Sequence, residues 1–221
     1  MTLSIIVGDV MERRRRALTE YDLKLMGLPP RYWPDDGAGN GVSFSGVSEG
    51  RHKEAARNYL RKLPEMLAQG YGMFLCGPYG TGKTALAALI CHEARRIESI
   101  VYFIRAFELK DAIVHDRPWD EGVLVADRVK KVGLLVIDDL GKEHNAVSSG
   151  WTESYWEDLI RVRSDNRRST IITSNYEPAK LKEIYKQSML EAMKGSIWPI
   201  LVDGGDLRNR DRDELREAVR P

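Results

Sequence analysis

Residues 77–84 read GPYGTGKT, between the apolar run YGMFLC (71–76) and a segment of helical periodicity, ALAALICHEARR (85–96). Few short sequences restrict a fold as tightly. Gly77, Gly80 and Gly82 let the backbone turn until successive N–H groups point into one concavity, a nest for phosphate oxygens. The helix that follows adds the partial positive charge of its N-terminus. The spacing Gly77-x4-Gly82-Lys83-Thr84 is that of a nucleotide phosphate loop. Lys83 is placed to reach the β- and γ-phosphates, and the Thr84 hydroxyl to take one position on Mg²⁺. Pro78, Tyr79, Thr81 and Ala85 complete the loop that would wrap ATP or ADP.

Such a loop closes a strand and opens a helix, and from residue 71 the chain repeats that alternation. Strands are predicted at 71–76, 100–104 (IVYFI), 133–138 (GLLVID), 170–174 (TIITS) and 197–202 (IWPILV). Helices are predicted at 83–96, 106–114, 121–131, 150–166 and 178–193. Near-continuous apolar strands separated by helices indicate an α/β fold, a parallel sheet covered on both faces. Pro199 puts the last strand at an edge or at a bulge. Upstream, residues 9–26 read as a charged helix stopped by GLPP, 34–50 as a Gly/Ser/Asp-rich linker, and 51–69 as a helix with a possible break at Pro64. The chain divides into a charged N-terminal element and linker (1–50), which could bind a partner, a core (51–208) and a charged tail (209–221).

Two further strand ends carry polar groups. LLVIDDLG closes on Asp138 and Asp139. In a parallel sheet, ligands collect at the carboxyl ends of strands. Asp138 there would hold Mg²⁺, directly or through water, and Asp139 would polarise the attacking water as a general base. Capping of the next helix is the alternative for either acid. In TIITSNYEP, Asn175 could reach the γ-phosphate or the lytic water, or serve an ordinary turn.

The 43% of hydrophobic residues allows a substantial core. No apolar run approaches the ~20 residues that span a bilayer. The charges of MTLSIIVGDVMERRRR follow its apolar patch, the reverse of a secretory signal, so a cytoplasmic protein without membrane attachment is predicted. The net charge of +1 favours no polyanion in bulk, and nucleic acid would need a local basic patch. Cys76 and Cys91 read as small buried hydrophobes, and the four histidines show no ligand spacing.

The phosphate loop, IDDLG and TSN, in this order and with these flanks, resemble the AAA+ ATPases of the DnaC/IstB type, the helicase loaders and transposition helpers. The resemblance runs from GLPPRYW to GGDLR, over most of residues 27–208. It implies a P-loop NTPase (AAA+/RecA-like) three-layer sandwich with a five-stranded parallel sheet and little or no C-terminal lid. It further implies Asp138 and Asp139 as Walker B acids, Asn175 as sensor 1, Arg208 as the sensor 2 arginine, and Arg31 and Tyr32 near the adenine. The implied activity is ATP hydrolysis with Mg²⁺. The implied partners are a replicative helicase and single-stranded DNA, or a transposase on duplex DNA, with self-association through the ATP site.

The chain departs from the family where the helix after sensor 1 normally carries arginines. Here it reads YKQSMLEAMKG, and the two positions fall on Ser188 and Ala192. Lys186, Lys194, Arg161 or Arg163 could substitute. An arginine finger contributes about 10³–10⁵ in rate in other nucleotide hydrolases, so weak ATPase activity is predicted for the isolated chain. An adaptor that binds ATP with little turnover, and a small-molecule kinase, are the readings of other classes.

Three remaining features have bland alternatives. Arg13 to Arg16 would be a solvated helix face, or a contact for DNA or an acidic partner. In FIRAFELKDAIVHDRPW, Phe103, Phe107 and Leu109 would pack the core, or Arg105, Lys110, Arg117 and Trp119 would form a DNA-stacking surface. Trp151, Tyr155 and Leu159 read as a buried helix stripe.

Overall fold

The computed structural model describes residues 16–37, 41–120, 122–142 and 150–206. In chain order the first elements are α1 (Glu20–Leu25), α2 (Arg51–Arg61), α3 (Leu63–Gln69), β1 (Gly72–Cys76), α4 (Lys83–Arg96), β2 (Val101–Arg105) and α5 (Ala106–Val114). A short ribbon of β3 (Pro118–Asp120) and β4 (Val123–Leu124) leads into α6 (Val125–Lys131) and β5 (Leu134–Leu140). The chain then forms α7 (Gly150–Asp165), β6 (Ser169–Ser174), α8 (Pro178–Leu181), α9 (Gln187–Lys194) and β7 (Ile197–Leu201).

The five apolar runs form one parallel sheet in the order β2-β5-β6-β1-β7. The chain leaves β1 for the far edge at β2 and later fills the places between. The carboxyl end of β1 therefore faces a crevice beside β6 and β5, where such sheets take ligands. Alternation of side chains divides the core in two. Phe74, Cys76, Leu135 and Ile137 face the layer of α5, α6, α7 and α9. Met73, Leu75, Leu134 and Val136 face α2, α4 and the N-terminal segment. Both cysteines are buried and free, with thiols pushed up by burial. Pro199 lies on β7, an edge strand, as its missing N–H requires.

The helix expected over 9–26 is present among the described residues only as α1. Thr19 starts it: its hydroxyl accepts from the Asp22 N–H (3.2 Å) and its own N–H donates to Asp22 Oδ2 (3.0 Å). Arg16 stays outside the helix because it grips the buried Asp22 carboxylate at 2.7 and 2.5 Å, joined by Arg95 at 3.0 and 2.8 Å. Arg16 first, then the Thr19 and Arg95 contacts, hold the Asp22 carboxyl well below the usual carboxylate range against the opposing effect of burial. Arg16 thus has a structural task, while Arg13, Arg14 and Arg15 lie outside the described residues.

The 51–69 helix breaks at Lys62, and Pro64 sits in the first turn of α3, where no N–H is needed. The 121–131 helix begins only at Val125, because the ribbon pairs Pro118 with Leu124. The 178–193 helix is two, α8 and α9, separated by a turn that seats Tyr185 in the core. Phe107 is 66% exposed: α5 turns Leu109, Ala112 and Ile113 inward and Phe107 outward. Trp119 is no open stacking surface, since Tyr102 meets it edge-on at 4.7 Å and the Arg128 guanidinium covers it at 3.7 Å. On α7, Trp156 is the buried aromatic beside Leu159, Tyr155 packs at the margin, and the Trp151 side chain lies outside the described residues.

Arg163 is fully buried and spends its guanidinium on the fold. It donates to the carbonyls of Val129 (2.6 Å), Val132 (3.0 Å) and Ser169 (2.5 Å) and to the Thr170 hydroxyl (2.9 Å), tying α6 and α7 to β6. Burial pushes its pKa down to about 9. Arg163→Ala leaves these acceptors unpaired, and we predict a loss of about 3–5 kcal/mol. In thermal unfolding that is a drop of about 10 °C; an unchanged midpoint would contradict the assignment.

Candidate nucleotide site

The phosphate loop joins β1 to α4 at the crevice. Gly77 (φ 145°), Gly80 (φ 78°) and Gly82 (φ 92°) take conformations that L side chains avoid. A Cβ on Gly77 would stand 2.3 Å from the Val202 carbonyl oxygen, and one on Gly80 would stand 1.7 Å from an Asp206 carboxylate oxygen. The bare glycines therefore let β7's exit and the Asp206 segment close against the loop. Lys83 is buried, with Nζ donating to the carbonyls of Gly77 (2.9 Å) and Pro78 (2.6 Å). Thr81 braces the same turn through the Pro78 carbonyl (3.0 Å). Burial pushes the Lys83 pKa down, against the pull of Asp139 and Asp138. Tyr79 stands exposed at the loop's outer side, with the Lys142 ammonium 5.4 Å from its ring centre.

Across the crevice, β5 pairs with β6 as Ile137↔Ile172 and then Leu140↔Ser174, so one extra residue is accommodated at the two aspartates. Asp139 takes a left-handed conformation (φ 61°) within this bulge. Thr173 fits into the gap: its hydroxyl accepts from the Asp139 N–H (2.9 Å) and donates to Asp138 Oδ1 (2.7 Å). Thr84 donates to the same Asp138 oxygen at 2.8 Å, which joins the phosphate loop to β5. Asp139 Oδ1 accepts from the Asn175 amide (3.2 Å), and Oδ2 from Lys142 (2.8 Å). The residues predicted from three separate motifs are thus hydrogen-bonded into one site.

Thr173 and Lys142 escaped the sequence reading. Thr173 stands two residues before Asn175, and the strand's period of two places both on one face, a signal already present in TIITSN. Lys142 follows the acids in IDDLGK but offers no pattern of its own. Arg31 and Tyr32 are not joined to the loop. Arg31 stacks on Tyr32 at 4.6 Å, and the Tyr32 backbone lies by His92, nine residues into α4 and so ~13 Å along the helix from Lys83. Arg208 lies outside the described residues, and the segment leading to it reaches the loop at Asp206.

The donor set suits a magnesium nucleotide. A hydroxyl and a buried carboxylate share a hydrogen bond beside an anion nest, hard oxygen ligands of the kind Mg²⁺ takes. Burial raises the Asp138 pKa, partly offset by the Thr173 and Thr84 hydroxyls. A raised folded-state pKa means that the stability at this site is complete below the unfolded pKa of about 3.9 and is lost as pH rises through the folded value. Ionised Asp138 is therefore a cost near neutrality. We predict that Asp138→Asn melts higher than the parent at pH 7, converges with it below pH ~4, and loses the Mg²⁺ dependence of ATP binding. A lower midpoint at pH 7 would remove this account of Asp138.

A phosphate loop on a β2-β5-β6-β1-β7 sheet, with paired acids and an amide on the adjoining strands, defines a P-loop nucleotide-binding protein of the AAA+ type. More closely, the chain belongs to the family of the IstB-like ATP binding protein, whose model matches residues 61–195. The replicative helicase loader DnaI of Bacillus subtilis is 26% identical over 168 residues, spanning 69% of this chain and 52% of DnaI. An insertion-sequence ATP-binding protein of Sinorhizobium fredii is 30% identical over 145 residues, spanning 62% of this chain and 57% of its own. This chain thus spans between 52% and 57% of the length of these relatives. The crystal structure of DnaI superposes with a TM-score of 0.62 at 23% identity, covering 76% of this chain and 90% of that one, a likeness of fold.

Proposed function

We propose that this chain binds ATP with Mg²⁺ at the phosphate loop, hydrolyses it slowly, and delivers or remodels a replicative helicase on single-stranded DNA. The observation that carries the ATPase part is the chain of contacts Thr84–Asp138–Thr173–Asp139–Asn175. Thr84 and Asp138 would hold Mg²⁺, which screens phosphate charge when bound. Lys83, released from the loop carbonyls, would turn its ammonium to the β- and γ-phosphates. Asp139 would hold the attacking water and take its proton, with Asn175 orienting either the carboxylate or the γ-phosphate. Arg208 would sense the same phosphate.

Slow turnover rests on the helix α9. The Ser188 hydroxyl donates to the Glu157 carboxylate, and Ala192 packs against the core. Arg163 is committed to the fold, and Lys194 pairs with Glu191 at 2.6 Å. Arg161 is exposed and donates to Glu157 (3.0 Å), one carboxylate away from Ser188. Its surface pair is worth only about 0–1 kcal/mol, so the guanidinium is free to exchange Glu157 for a neighbouring subunit's phosphate.

The likeness to the insertion-sequence protein supports a second reading, a transposition helper acting on duplex DNA. Light scattering with ATP·Mg²⁺ and either single-stranded or duplex DNA, paired with helicase pull-down, separates them. We expect ATP-dependent oligomers on single strands, capture of the helicase, and turnover that Arg161→Ala removes without dissolving the oligomer. Filaments on duplex DNA without helicase capture would favour the helper, and a nucleotide-indifferent monomer would defeat both.

A further inference from the structure

The hydrolysis proposed above leaves one charged side chain of the site without a task. Lys142 stands two residues beyond β5, and its Nζ donates to Asp139 Oδ2 at 2.8 Å, while the Asn175 amide donates to Oδ1 at 3.2 Å. Both oxygens of the acid thus carry a partner before nucleotide enters. The two partners are not held alike. Asn175 directly follows β6, two residues after Thr173, whose hydroxyl is fixed between Asp138 and the Asp139 N–H. The Lys142 side chain is 43% exposed, and its ion pair with the part-exposed Asp139 is a weak surface contact.

The same ammonium faces the phosphate loop. It lies 5.4 Å from the ring centre of Tyr79, a loop residue between Gly77 and Gly82. At Lys83, where burial is the largest influence, the Lys142 charge adds its own push against the protonated form. Lys142 therefore bridges the acid proposed to activate water and the loop proposed to wrap the phosphates. Other cations near α9 are engaged elsewhere: Arg163 with the fold, Arg161 with Glu157 and Lys194 with Glu191. A terminal phosphate carries more charge than one carboxylate, so a nucleotide competes with Asp139 for the Lys142 ammonium.

We propose that Lys142 is a catalytic residue acting in cis: it exchanges Asp139 for the γ-phosphate and supplies part of the charge that Ser188 and Ala192 cannot. The inference rests on the ATP hydrolysis proposed above. The water oxygen bonds to the γ-phosphorus as the bond to the bridging oxygen breaks. ADP keeps that electron pair, and Asp139 takes the water's proton. Lys142 keeps its own proton throughout and adds charge and hydrogen bonds at the γ-phosphate oxygens. The exchange also uncovers Asp139 Oδ2 for the water, so one movement delivers charge and releases the base. An ammonium matches spread phosphate charge less well than a guanidinium fork, which keeps this turnover slow. Lys142 thus accounts for release by the isolated chain, and Arg161 for faster turnover in the oligomer.

The isolated full chain is compared with Lys142→Met, Lys142→Arg and Asp139→Asn. Methionine keeps the unbranched stem and loses the charge. In steady-state phosphate release with ATP·Mg²⁺, Lys142→Met is expected to lower kcat at least about tenfold and leave KM within about twofold. Lys142→Arg is expected to keep kcat or raise it. In equilibrium binding, ADP–aluminium fluoride with Mg²⁺, a mimic of the transferring phosphate, is expected to bind Lys142→Met at least about tenfold more weakly than the parent. ADP·Mg²⁺ is expected to bind both alike, which certifies the fold. A Lys142→Met kcat equal to the parent's overturns the proposal, and a higher one does so too, because Lys142 would then only restrain Asp139. So does an equal loss of affinity for ADP and for ADP–aluminium fluoride. Phosphate release that Asp139→Asn leaves unchanged would instead remove the hydrolysis reading, and this inference with it.

Discussion

Lys83→Ala is expected to reduce ATP affinity by at least about a hundredfold, to below detection in a calorimetric titration. Two charge-assisted hydrogen bonds to phosphate, each worth about 1.5–3 kcal/mol, set that scale. Lys83 is buried, and its Nζ is held on the carbonyls of Gly77 and Pro78. It is therefore already largely desolvated, and it exchanges those two carbonyls for phosphate oxygens when nucleotide enters. The substitution also leaves those two carbonyls short of a donor, so the melting curve must be read beside the affinity. A variant that is folded and binds ATP as the parent does would end the phosphate-loop assignment.

Asp139→Asn is expected to keep nucleotide and lose turnover by about 10²–10⁴, the range attributed to a positioned general base. The substitution keeps most of the local contacts. Asp139 has φ 61°, and asparagine tolerates that conformation as well as aspartate does. The amide keeps an oxygen for Asn175, and Thr173 continues to accept from the backbone N–H, a bond that does not depend on the side chain. What disappears is the carboxylate's ability to take a proton, together with the partly exposed ion pair to Lys142, a surface contact worth about 0–1 kcal/mol. Single-turnover hydrolysis equal to that of the parent would take Asp139 out of the chemistry.

Much of this architecture was legible because period and punctuation agreed. The helices α4 and α5 fall on the predicted 83–96 and 106–114, and each core strand lies within two residues of its apolar run. Glycine stops, Lys-Thr after the turn, and acids ending an apolar strand are local signals, and they are read locally. The failures were of tertiary origin. Arg163 looked like a free charge because no sequence pattern shows four acceptors converging from α6 and β6. Arg16 looked like one member of a basic run until Asp22 and Arg95 enclosed it. Phe107 looked like core because hydrophobicity does not reveal which face of a short helix meets the sheet. At the site, the bulge at Asp138–Asp139 and its Thr173 plug arise from strand pairing, so the acids were legible and their support was not.

The Ser188 and Ala192 positions shift the emphasis from motor to switch. Without arginines there, the proposed site would bind nucleotide and activate water but would lack charge from a neighbour to spread over the transferring phosphate. Steady-state phosphate release by the isolated chain with ATP·Mg²⁺, measured beside Asp139→Asn under identical conditions, tests this most directly. The account predicts slow release in the parent, at least about a hundredfold faster than in the variant. Equal release from both proteins would contradict it.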